Sequence, residues 1–295
     1  MGTAAIHTRP AGGPWFQIAD EALRPFDEYQ QFRAGNLERQ QYVRFVDRMR
    51  DHLVGNGLPP NDVEFAKRYP SSHDAFVALA LQRLASRDIL DGPARGPHPM
   101  TACYDHGSYR TYIYPEERLL LYEIARRLQP RATIFLGSYY GYWAGAVIDA
   151  VGPDCKVVLV DPDERTQEVA SRNFSRCSNV DIVVATGQRY LSEAEEKYDL
   201  IVLDAEGPRD HPDPRQRGKR IYEPLLESAR PHVSTGSMLV CHNIIFHDET
   251  GSGFMQQVVD RNRDELRGFM KLVQAMMPNF TELFSTEGVG VGTAC

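Results

Sequence analysis

The chain contains no apolar run approaching the roughly 18 to 20 residues of a membrane-spanning helix. Its opening, MGTAAIHTRPAGGPW, lacks the apolar core of a secretory signal. A soluble cytoplasmic protein without a membrane partner is therefore expected. Cysteine is scarce: the five residues Cys103, Cys155, Cys177, Cys241 and Cys295 are odd in number, far apart and form no C-x-x-C pair. That argues against a disulfide framework or a thiolate zinc site and leaves inert free thiols. Basic charge is not in excess either, with 33 Lys and Arg against 40 Asp and Glu and a formal net charge of -7. No nucleic-acid footprint follows from such a balance, and small molecules are the expected partners.

What is present is 42% hydrophobic residues over a 295-residue chain, enough for one large core or a core with a smaller appended domain. Residues 1–19, rich in Gly, Pro, Ala and Thr, read as a flexible arm. From Asp20 to about Leu90 the apolar positions recur at mostly helical spacing. Tyr42, Phe45, Val46, Met49 and Leu53 form one set; Phe76, Val77, Leu79, Ala80 and Leu84 form the next. The stretch DGPARGPHPM (Asp91 to Met100) reads as a linker. Residues 20–103 are thus expected as a helical N-terminal cap and 104–295 as a second domain.

In the second domain a helix starting near Pro115 is followed by short apolar runs alternating with helical segments. The runs are ATIFLG (from Ala132), KVVLVD (from Lys156), DIVVAT (from Asp181), YDLIVLD (from Tyr198) and SMLVCHN (from Ser237). Runs of this kind predict strands buried on both faces of a mainly parallel sheet covered by helices, an α/β Rossmann-like arrangement. The last run, Phe280 to Ala294, predicts an antiparallel edge hairpin about Glu287-Gly288.

Ligands of such sheets bind beyond the carboxyl ends of the strands. The first strand runs into LGSYYGYWAG, where Gly137 and Gly141 permit a tight turn into a helix. The second ends in Asp161, whose carboxylate suits the two hydroxyls of a ribose. Together they point to an adenosine-containing ligand, and Gln188 after the third strand stands where an amide can meet an adenine edge. Upstream, YDHGSYRTYIYPEE has the composition of a pocket wall, with Tyr104, Ser108, Tyr109 and Tyr112 as contacts.

At these segments the chain resembles the class I S-adenosylmethionine (SAM) methyltransferases of the catechol and caffeoyl-CoA O-methyltransferase type. IFLGSYYGYWAGAV is similar to their first motif, VDPDERTQEVASRNF to the second, LIVLDAEGP to the D-A-x-K segment and GSMLVCHNIIF to the G-x-x-x-x-D-N segment. The resemblance covers about Tyr104 to Cys295 and implies SAM as cofactor. It would set Gly137, Ser138, Tyr139 and Gly141 against the methionine and sulfonium, Asp161 on the ribose and Gln188 on the adenine, with Asp204 also near the cofactor. A homodimer is implied by analogy alone.

Several positions depart from that pattern. The places of the metal ligands, two Asp and one Asn in the family, read Asp204, His242 and Asn243. An imidazole for a carboxylate removes a negative charge and disfavours magnesium, so a divalent metal is doubtful. The family's basic lysine is Gly207 here, its motif acid is Phe135, and the Ser after Gly-Tyr is Trp143. Glu206 and His242 are the substitutes expected for the base, against a solvated Glu206 and a merely hydrogen-bonded His242. In the aromatic run Tyr139, Tyr140, Tyr142 and Trp143, ring faces suit a sulfonium. Tyr139 is expected nearest the sulfur, Tyr140 joins it in the reacting centre, and at least two of the four rings are expected to pack structurally.

Three activities are compatible with this reading. The first is SAM-dependent methyl transfer to a small molecule, in specialised metabolism and without need of a metal, beneath the N-terminal cap. The second is a SAM cyclase that closes azetidine-2-carboxylate and releases methylthioadenosine. The third is a silent SAM-binding subunit.

Overall fold

A computed structural model describes residues 16–90, 111–248 and 250–295. The expected linker, Cys103, and the pocket residues Tyr104, Ser108 and Tyr109 lie outside the described residues. Six helices come first: α1 (Phe16–Leu23), α2 (Asp27–Arg33), α3 (Arg39–Arg48), α4 (Arg50–Gly55), α5 (Asp62–Ala66) and α6 (His73–Ala85). Helix α1 begins inside the stretch expected as an arm. After the undescribed segment come α7 (Pro115–Leu128), β1 (Ala132–Leu136), α8 (Ala144–Val151), β2 (Lys156–Asp161), α9 (Glu164–Asn173), β3 (Val180–Val184) and α10 (Gly187–Glu193). The chain closes with β4 (Leu200–Leu203), α11 (Tyr222–Ala229), β5 (Met238–His242), α12 (Gly253–Glu265), α13 (Arg267–Met276), β6 (Thr281–Leu283) and β7 (Val289–Thr293).

The strands form one sheet in the order β3-β2-β1-β4-β5-β7-β6, with β1 to β5 parallel and the β6–β7 pair antiparallel. This is the Rossmann-like class I methyltransferase arrangement expected, antiparallel edge included. Period-two alternation sorts the side chains to the two faces. Phe135, Val157, Leu159, Leu200, Val202 and Val240 pack beneath α7 and α8, while Ile134, Leu136, Val158, Val160, Ile201 and Leu203 pack beneath α11 and α13. Each such apolar side chain contributes about 1.5 to 3 kcal/mol on full burial. Strand β3 is half-exposed rather than buried on both faces, because as an edge strand it has a neighbour on one side only.

Residues of α1 to α5 enclose a small core of their own around Tyr42, Phe45, Val46 and Leu53, into which Tyr114 also reaches. Helix α6 behaves differently: Val77, Ala80, Leu81 and Leu84 join the sheet's core beside α7. Arg68 then pins the α1–α5 unit to the β6–β7 turn. Its guanidinium donates to the carbonyls of Thr286 (3.0 Å), Ser285 (3.1 Å) and His247 (3.2 Å).

Candidate active site at the carboxyl ends of the strands

The chain leaves β1 through Gly137 at φ 84°. A Cβ there would stand 2.5 Å from the Asp204 carbonyl oxygen, so only glycine lets β1 and β4 end side by side. The amides of Gly137 and Ser138 both donate to the Val160 carbonyl, at 3.0 and 3.2 Å. Gly141, at φ 85°, lies under Phe174, whose ring would be 2.3 Å from an added Cβ.

Between these glycines Tyr139 adopts φ 50°, a left-handed conformation that a tyrosine rarely holds without a restraint. The restraint is Asp161, which accepts the Tyr139 amide at 3.0 Å on Oδ2. Its Oδ1 accepts the Asp163 amide at 3.0 Å and lies 3.5 Å from the Thr166 hydroxyl. Burial raises the Asp161 carboxyl above its ordinary range, against the lowering pull of these donors.

A cavity of about 1190 Å³ opens over these strand ends. Gly137, Ser138, Tyr139, Asp161, Gln188, Asp204, Glu206, His242 and Asn243 all line it, so most expected site residues share one space. Gly141 does not line it and acts through the turn. Ser138 is buried, with its hydroxyl accepting the Gln167 amide nitrogen at 2.7 Å. The amide nitrogen of Gln188 donates to Gln216 at 3.0 Å, so two glutamines flank that wall. Glu206 is exposed on the rim.

Tyr140 is the correction among the aromatic residues. It is fully buried, does not line the cavity, and packs its ring 4.9 Å from that of Tyr139. Tyr139, Tyr142 and Trp143 do line the cavity, although Trp143 is also buried and donates its indole N–H to the Glu117 carbonyl at 3.2 Å. Tyr112 is half exposed on the cavity wall.

His242 ends β5 between two acids. Its Nδ1 lies 3.3 Å from Asp204 and its Nε2 3.0 Å from Glu117. Burial lowers the imidazole pKa, yet the two carboxylates prevail and carry it up to about 10. Glu117 belongs to the first turn of α7, where it also caps the helix by accepting the Tyr114 amide at 3.0 Å. Its other oxygen accepts the Ser285 hydroxyl at 2.6 Å and the Glu287 amide at 2.8 Å. Glu287 lines the cavity and is pushed up to about 8, mainly by burial. On Asp204 burial is the largest influence and raises the carboxyl, but His242 and Lys219 together bring it below its usual range.

These donors do not fit a divalent metal. An imidazole stands where magnesium would want a hard carboxylate oxygen, and the Lys219 ammonium, 3.7 Å from the Asp204 carboxylate, opposes a second cation there. The two cations match the charges of Asp204 and Glu117. Among the described residues no group of three or more His, Cys, Asp or Glu side chains is placed to hold a metal ion.

Sequence reasoning missed Glu117, Lys219 and Gln216, and took Glu287 for a turn residue only. It also missed Asn61, Asp62 and Phe65 of the α1–α5 unit, which line the far side of the cavity. No local pattern marks these residues; an exposed-looking acid in a helix's first turn is ordinary capping chemistry.

Residues 134–244 match a family model described as a methyltransferase domain. No curated protein matches the chain. Solved structures similar to it include an O-methyltransferase from Bacillus cereus in complex with SAH, 15% identical over 75% of this chain and 91% of that one, at TM-score 0.47. TomG, an O-methyltransferase from Streptomyces achromogenes in complex with SAM, is 18% identical over 75% and 90%, at TM-score 0.45. The SAH-bound methyltransferase PaMTH1 from Podospora anserina is 14% identical over 62% and 79%, at TM-score 0.48. Among the described residues no helix is long and apolar enough to cross a membrane.

Proposed function

We propose that the methyltransferase domain transfers the methyl group of SAM to a small-molecule acceptor without a divalent metal. The observation that carries this reading is the 3.0 Å bond from the Tyr139 amide to Asp161, which fixes the glycine turn and the β2 carboxylate as one cradle. In that cradle Asp161 would hold the ribose, Gln188 and Gln216 the adenine edge, and the Gly137–Tyr139 backbone the amino-acid end. The bound group supplies an electrophilic methyl on a sulfonium; the protein's part is to align an acceptor with it and exclude water, which can supply much of the rate.

A separate acceptor is favoured over cyclisation of SAM by the size of the cavity. At about 1190 Å³ it exceeds the roughly 300 to 1,000 Å³ of a pocket for one drug-sized ligand. Its walls continue past the strand ends to Asn61, Asp62 and Phe65, so the N-terminal helices would roof an acceptor there.

Calorimetry with SAH tests the reading. Wild type should bind, and Asp161→Ala should bind about 10- to 100-fold more weakly, the equivalent of a charged hydrogen bond of about 1.5 to 3 kcal/mol. Gly137→Ala should lose at least as much. Equal affinity in both folded variants would overturn the proposal.

A further inference from the structure

Helix α12 turns one face to the cavity. Phe254, Val258 and Asn262 follow one another at helical spacing on that face and all line the cavity, as do Ile245 and Phe65 of α5. The Phe65 and Phe254 rings meet edge to face, with centroids 6.0 Å apart and planes at 86°. This stretch of wall is apolar except at Asn262, which is itself only 2% exposed.

The orientation of the Asn262 amide is fixed. Its nitrogen donates to the Asn243 carbonyl at 3.2 Å and to the Ile245 carbonyl at 3.1 Å, which uses both of its protons. Oδ1 is therefore the atom left over: among the described residues nothing donates to it, and it is not sealed inside the protein. Glu287, 6% exposed, is in the same condition, because one carboxyl oxygen accepts the Asn243 side-chain amide at 3.3 Å and the other has no donor among the described residues. Asn243 thus sits between two buried side chains that each keep an oxygen free at the cavity wall. Among the described residues Glu287 also has no ion-pair partner. His242 and Lys219 face Glu117 and Asp204, while Arg68 is held by three carbonyls and lies 3.9 Å from Asp248. Arg261, also on the cavity wall, is exposed to water that screens its charge.

We propose that Asn262 and Glu287 form a subsite for a primary ammonium group carried by the methyl acceptor, whose apolar body lies against Phe65, Phe254, Ile245 and Val258. The inference rests on the methyltransferase reading above and adds a class of acceptor to it. When the ligand displaces water from this wall, both oxygens lose their partners unless the ligand itself donates. A hydroxyl brings one proton and serves one oxygen. An ammonium brings three, and its charge complements the acid that has no cation of its own. An ammonium nitrogen has no lone pair for the methyl carbon, so it is a handle for binding while another atom of the acceptor takes the methyl group.

The test uses the full chain saturated with SAH and two probes of one shape, benzylamine and benzyl alcohol, titrated by ligand-observed NMR. Wild type should bind the amine at least about tenfold more tightly than the alcohol, the worth of a charge-assisted hydrogen bond. Glu287→Gln keeps an oxygen for Asn243 and turns an amide N–H toward the subsite, so it should abolish that preference while leaving the alcohol nearly unchanged. Asn262→Ala should weaken the amine as well. SAH calorimetry on each variant shows that its cofactor cradle is folded. Wild type that binds SAH without preferring benzylamine, or a Glu287→Gln protein that keeps the preference, overturns the inference alone. Wild type that binds no SAH overturns the methyltransferase reading beneath it.

Discussion

The two ends of the cavity are built in opposite ways. At the β1–β2 end the geometry comes from backbone: two positive-φ glycines, a carbonyl accepting two amides, and a carboxylate bonded to an amide 22 residues earlier. At the β4–β5 end it comes from side chains that meet across long stretches of chain. His242 reaches Asp204 across 38 residues and Glu117 across 125, and Glu117 takes the Glu287 amide across 170. The first end is a local device that loops of many sequences can form. The second depends on the whole fold being in place, and the charges of His242 and Glu117 must balance because both side chains are buried.

If that contrast is right, the β4–β5 end should be the costlier one to disturb. Removing His242 leaves Glu117 and Asp204 without the cation between them in a buried place. His242→Ala is expected to lose about 3 to 5 kcal/mol of stability, as when one partner of a buried ion pair is deleted. Urea unfolding measures it. A loss below about 1 kcal/mol would mean that the cluster is hydrated and that the comparison fails.

The same end should give the protein an unusual pH response. Glu287 is raised to about 8 in the folded state, by burial first and by the charge of Glu117, with His242, Asn243 and Arg68 pulling the other way. Unfolded, it returns to the ordinary value near 4.5. The native state therefore holds more protons than the unfolded chain between about 4.5 and 8, and stability falls as pH rises through that window. Glu116, also raised to about 8, acts in the same direction. His242, raised from 6.5 to about 10, contributes stability that is complete below 6.5 and gone above 10. Glu287→Gln removes one part of the slope. It should equal wild type near pH 5 and exceed it by more than about 1 kcal/mol at pH 9, since each tenfold change in proton affinity is worth about 1.4 kcal/mol. A difference that does not grow with pH sinks the prediction.

The contrast also explains what could be read from the sequence. The β-branched runs marked the strands because burial on both faces leaves a continuous apolar signature, and it faded only at edge strand β3. The tight turn at Gly137 and the place of Asp161 at the end of β2 were legible because both are local. Lys219 was not, because it arrives at the site through the pairing of Gly207 with Gly218, a tertiary event. Tyr140 was misplaced because four aromatics crowded into an irregular turn have no period to tell inside from outside. Helix α6 carries an apolar face like its neighbours, and nothing in that face shows which core receives it.

At the β1–β2 end the smallest effect expected is also the most specific. Tyr139 is 38% exposed, its ring is tilted against that of the buried Tyr140, and its backbone is locked by Asp161. A ring so fixed at the cavity wall loses little freedom when a ligand arrives. Its face would favour the sulfonium of SAM over the neutral thioether of SAH by a cation–π attraction of about 0.5 to 1 kcal/mol at this exposure. Tyr139→Leu keeps apolar bulk and removes the π face, so it should lower the affinity for SAM relative to SAH about two- to fivefold. Tyr139→Phe should leave the ratio alone, because the hydroxyl plays no part in that attraction. Paired titrations with the two ligands give the ratio directly. An unchanged ratio in Tyr139→Leu would assign discrimination of the charge to Tyr142 or Trp143, the other rings of that run on the cavity wall, and leave Tyr139 only its backbone role.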